Sequence, residues 1–143
     1  MKNCNIELFM PAPTGDCGAV SNLVNKGIVG KVHCWCLPQS ECPMLPDGTD
    51  VIPATSLSES ALFMDMAERA TGDFLLYVAK QGVELPSAEM LERMVDAMQG
   101  DGSVMLYADC YKVVDGVREE APVIDYQCGS LRNDFDFGSL MLL

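Results

Sequence analysis

Lys80 and Gln81 follow directly on a short apolar run, Phe74 to Val78, that stops at Ala79. In an open α/β sheet the ligand lies just beyond the carboxyl ends of the strands. A fixed ammonium there could stabilise an anionic ligand; a solvated lysine at a strand end fits the same residues. Asp109 closes the next apolar run, after Tyr107 and Ala108. Its carboxylate could serve a ligand or metal site on the same edge, or cap the turn before Tyr111. In RNDFDFG, Asp134 and Asp136 alternate with Phe135 and Phe137. An extended chain aims both acids one way, as a metal-ligand pair or as solvent-facing acids opposite two inward rings. Arg132 has the planar fork that grips two phosphate oxygens, and an internal pair with Asp134 or Asp125 is equally open to it.

Other reactive residues lack partners in the sequence. His33 is the one histidine, set between Val32 and Cys34, with no serine or cysteine nucleophile placed to use it as a base. Thr14-Gly15-Asp16 could present backbone N–H groups, but GDCGAVSN lacks the Gly-Lys-Ser/Thr ending of a phosphate-binding loop. Seven cysteines form an odd set, and the spacing Cys34, Cys36, Cys42 fits no common zinc pattern. All seven are expected to be reduced, with no bound zinc. Ten methionines, many at core-like positions, indicate packing.

The elements that must position these residues follow from periodicity and turn signals. NIELFM, Asn5 to Met10, is an apolar strand closed by Pro11-Ala12-Pro13, and a short helix with Val20, Leu23 and Val24 on one side ends at Gly27. Val32 to Leu37 is a second strand, Pro38 to Asp50 a proline-rich loop, and Val51-Ile52 a short third strand. Ser58 caps a helix to Arg69, and Phe74 to Val78 is a buried strand. Ser87 caps a second helix to about residue 99, with Glu89 in its first turn, where the helix dipole favours an acid. Ser103 to Ala108 is a strand, Asp115-Gly116 marks a hairpin turn, and Ser139 to Leu143 is a final buried strand. That strand stops at the last residue, as expected of the N-terminal part of a longer protein.

A chain of 143 residues suffices for one domain, spanning 1–143. The net charge of −12 argues against a nucleic-acid-backbone binder. No run approaches the roughly 20 apolar residues of a membrane helix, and no export signal opens the chain. A cytoplasmic location is therefore expected. Strands alternating with helices predict an α/β fold, a three-layer sandwich with a mostly parallel central sheet. The strands led by Ile6, Val32, Phe74 and Val104 should be mutually parallel.

Three passages together carry a resemblance. IELFMPAP resembles the opening strand and proline of the family-2 glycosyltransferases of the GT-A fold. ERATGDFLLYVAKQGVELPSAEMLERMV is similar to the passage of that family that runs from an A-x-G-x-Y start through an Asp-x-Asp to L-P and L-E-x-M. VMLYADCYKVVDGV with GSLRNDFDFGSLML resembles its strand ending in Tyr-x-Asp, an Asp-Gly hairpin and the return strand. The resemblance implies transfer of a sugar from a nucleotide-sugar donor to a glycan or cell-envelope acceptor. The donor would lie over an edge defined by Pro11, Ala79 to Gln81 and Asp109, with Arg132 near its phosphates. The chain departs from the family where the chemistry sits. Ala79-Lys80-Gln81 stands in place of the Asp-x-Asp that would hold Mg²⁺ or Mn²⁺, so the family's cofactor has no ligands there. Pro13 and Thr14 replace the tyrosine and asparagine after the first proline, and Leu37 to Ser40 lacks the acids after the second strand. The catalytic base would lie past Leu143. The competing class is a catalytically inactive binding or scaffold module of the same fold.

Overall fold

A computed structural model describes residues 4–13, 17–38, 45–57, 60–107, 110–121 and 139–143. Strand β1 (Ile6–Pro11) is buried along its whole length. It pairs in parallel with β2 (Val29–Cys36) on one side and β4 (Phe74–Val78) on the other. β3 (Asp50–Pro53) adds to the outer side of β2, again in parallel. These four strands therefore point their carboxyl ends, Pro11, Cys36, Pro53 and Val78, at one edge of the sheet.

The other end of the sheet corrects the expected mostly parallel arrangement. β8 (Leu140–Leu142) lies between β4 and β5 (Leu106–Tyr107) and runs antiparallel to both, so the six-stranded sheet, ordered β3-β2-β1-β4-β8-β5, is mixed. Parallel neighbours need a crossover, usually a helix, and none separates β5 from β8 among the described residues. Between them the chain forms instead a two-stranded hairpin of β6 (Cys110–Val114) and β7 (Val117–Ala121). Among the described residues, the run expected as a strand from Ser103 contributes Leu106 and Tyr107, and Val104 stands outside it, largely exposed.

Among the described residues three helices cover the sheet, because strand alternation leaves both of its faces apolar. Ile6, Leu8 and Met10 of β1, with Leu76 and Val78 of β4, pack with Val20 and Leu23 of α1 (Gly18–Asn25) and Leu91, Met94, Val95 and Met98 of α3 (Ala88–Asp101). Phe9 of β1 points the other way, into a cluster with Trp35, Ile52, Tyr77 and, from α2 (Ser60–Arg69), Leu62 and Met66. The α3 start is as expected: the Ser87 side chain accepts from the Met90 N–H at 3.2 Å. Its end is later than expected, since Gly100 continues the helix and Gly102 closes it in the left-handed region at φ 72°. The Ser58 cap expected for α2 lies outside the described residues.

Candidate functional site

The carboxyl edge of the parallel strands is where the anticipated donor residues should meet. Pro11, the last residue of β1, is fully buried, so its ring offers no surface to a ligand. The next residue, Ala12, donates its N–H to the Trp35 carbonyl at 2.9 Å and continues the ladder. Lys80 and Gln81 do sit just past β4, both exposed. The Gln81 amide donates to the Ala12 carbonyl at 3.2 Å, so it ties the ends of β1 and β4 together. Structure thus brings Pro11, Lys80 and Gln81 to one edge, with Gln81 engaged as a strap. Asp109, Arg132, Asp134, Asp136 and Thr14 to Asp16 lie outside the described residues. No group of three His, Cys, Asp or Glu residues could hold a metal among the described residues.

The same edge holds a cleft of about 610 Å³ between β3 and α2, with a wall from β2. Ile52, Pro53, Ala54 and Thr55 line one side and Ala61, Leu62 and Asp65 the other. Its walls are largely apolar, and Asp65 is the one ionisable acid in them among the described residues. A cleft of this size and character suits a flat or apolar part of a small ligand better than a bare phosphate. Asp65 accepts from Arg69 Nε at 2.9 Å through one oxygen. Its other oxygen is buried without a partner, as is Trp35 Nε1, among the described residues.

Behind this cleft lies an arrangement the sequence did not disclose. His33 on β2 is fully buried, with Nε2 3.2 Å from Glu7 Oε2 of β1 and Nδ1 3.0 Å from Asp50 Oδ2 of β3. Phe9 stacks on its ring at 4.2 Å, with an interplanar angle of 7°. Glu7, also fully buried, accepts from both the N–H and the hydroxyl of Thr71. Asp50 takes a second contact from Arg69 Nη1 at 2.8 Å. The residues Glu7, His33, Asp50, Arg69 and Asp65 therefore form one continuous chain of contacts, from the sheet interior to the cleft wall. Two ionised carboxylates can only accept, so satisfying both His33 contacts takes two protons on the ring or one on a carboxyl.

The local environments fit this accounting. Burial alone would raise the Glu7 carboxyl, but hydrogen bonds from Thr71 and then His33 outweigh it and hold the group below its ordinary value. Asp50 is likewise held low, first by the His33 hydrogen bond and then, against some burial, by the Arg69 charge. Arg69 is raised, chiefly by its hydrogen bond to Asp65. It also sits in the last turn of α2, where a cation meets the negative end of the helix dipole.

Cysteine chemistry also differs from expectation. Cys36 is disulfide-bonded, which corrects the all-reduced reading. Cys4 and Cys34 are free thiols. Burial, and then the neighbouring Cys17, push the Cys34 thiol up to about 11, so it stays protonated and unreactive near neutrality. No helix among the described residues is long and apolar enough to cross a membrane. Comparison of the chain with family models, curated proteins and solved structures found no match.

Proposed function

We propose that this chain is a glycosyltransferase-like domain of the GT-A type that binds a nucleotide-sugar donor at the carboxyl edge of β1 to β4. One observation carries the reading. The chain lays four parallel strands edge to edge, then makes an Asp-Gly hairpin, then returns with an antiparallel strand beside β4. The sequence resemblance implies an Asp-Gly hairpin followed by a return strand, without fixing that strand's direction. The cleft beside β3 lies on the edge where open α/β sheets bind ligands. In this reading Lys80 faces the diphosphate as a fixed cation, and the apolar cleft receives an uncharged part of the donor.

A second reading is supported by a specific feature of the same edge. Ala79, Lys80 and Gln81 supply no carboxylate at the end of β4, and the Gln81 amide is engaged with Ala12. A catalytically inactive module that retains donor binding without transfer accounts for both. Single-turnover assays with radiolabelled UDP- and GDP-sugars separate the two. Release of labelled sugar to water or acceptor supports the transferase, whereas saturable binding without release supports the module. Absence of both binding and release across the panel contradicts the donor-site reading.

A further inference from the structure

We propose that the proton shared by His33 with Glu7 and Asp50 is a switch that sets how firmly β3 and α2, the two walls of the strand-end cleft, are held to the sheet. The inference rests on the contact chain and makes no use of the cleft's ligand.

Charged and titratable groups face His33 from each element around it. Glu7 comes from β1 and Asp50 from β3, and α2 adds Arg69 with Asp65 behind Asp50. With N–H groups on both ring nitrogens, His33 donates to both acids and its charge lies between them. When one proton leaves, one nitrogen becomes a lone pair facing a carboxylate oxygen. The choice of nitrogen follows from burial. Glu7 is fully buried, and an unpaired carboxylate there is the costlier outcome. The Asp50 side chain is 33% exposed and retains Arg69 and water as partners. The ring therefore keeps its Nε2 proton toward Glu7 and turns a bare Nδ1 lone pair toward Asp50.

Asp50 is well placed to respond to that repulsion. It is the first residue of β3, a strand of four residues that pairs, among the described residues, with β2 alone. Its Oδ2 is the atom that receives both His33 and Arg69, so displacement of Asp50 is transmitted to the last turn of α2. Ile52 and Pro53 continue β3 into the cleft, and Asp65 with Leu62 form the facing wall. Loss of a buried proton at His33 thus loosens both cleft walls, while β1 and β4 are unaffected.

The chain contains one histidine and one tryptophan, which makes the test direct. Nitrogen-15 NMR of the imidazole follows both ring nitrogens over the whole pH span in which the chain stays folded. Hydrogen exchange, corrected for base catalysis, reports the opening of β3 and α2 over the same span. The account expects a loss of the Nδ1 proton accompanied, in the same step, by roughly ten- to a hundredfold faster opening of β3 and α2, the effect of losing one charge-assisted hydrogen bond. Protection of β1 and β4 should stay level. Asp50→Asn and His33→Gln should each abolish the step, and Asp50→Asn carries the test should His33→Gln fail to fold. Exchange in β3 and α2 without a step at the imidazole titration would overturn the proposal. So would a step that persists in Asp50→Asn, or ring nitrogens that do not change over the span.

Discussion

His33 owes its position to strand alternation. Val32 and Cys34 enter the core shared with α1 and α3, so His33 and Trp35 must enter the face beneath α2. A buried imidazole there needs polar partners, and Glu7, the acid within the apolar run IELF, is one of them. The sequence set His33 apart as the one histidine, and Glu7 was not singled out. What the sequence could not show was the register, which sets Phe9 against His33 and His33 against Asp50 across 24 and 17 steps of chain. Removing one partner of such a buried pair leaves the other uncompensated, so His33→Ala should destabilise the fold by about 3–5 kcal/mol in urea denaturation. A loss below about 1 kcal/mol would show that Glu7 does not depend on the ring. The acid side of the stability profile has a definite sign. Glu7 and Asp50 are both held below their ordinary values of 4.5 and 3.8. Their contribution is therefore fully present above those values and is lost as pH falls through the depressed folded values. Melting curves should show this acid-side loss in the native chain and a shallower one in Glu7→Gln.

Helix and turn chemistry was the most legible part of the elements. Ser87 caps α3 as its position before an apolar stripe indicates, and Ser87→Ala should lower stability by about 1 kcal/mol. Asp115 and Gly116 both take positive φ, 50° and 78°, the requirement of the tight two-residue hairpin that their types signal. The direction of β8 was not legible, because three apolar residues pair equally well either way until their neighbours are known. Gly72, ahead of β4, has a reason that only packing reveals. A Cβ there would lie 2.7 Å from the Asn5 carbonyl oxygen and 3.0 Å from Glu7 Cγ. Gly72→Ala should therefore push on backbone and on the buried acid together, at a cost of about 1–3 kcal/mol, the range for an overpacked interior. Thermal melting that matches the native chain would mean this backbone has room to yield.

For the molecule as a whole, the α/β class followed from alternating periods, and the mixed sheet did not. Lys80 and Gln81 stand past the end of β4, Pro11 is buried, and the cleft along β3 and α2 came from side chains of no evident chemistry. Because Cys36 is disulfide-bonded, thiol titration of the denatured, unreduced chain should find fewer than the seven cysteines, and reduction should restore all seven. The proposed donor site is tested most directly by calorimetry of the chain against UDP- and GDP-sugars, with and without EDTA, and again for Lys80→Ala. With Ala79, Lys80 and Gln81 at the end of β4, binding should be indifferent to EDTA. It should weaken by roughly ten- to a hundredfold in Lys80→Ala, since a charge-assisted contact is worth about 1.5–3 kcal/mol. Binding that EDTA abolishes, or that survives Lys80→Ala unchanged, would contradict a lysine-based donor site at this edge.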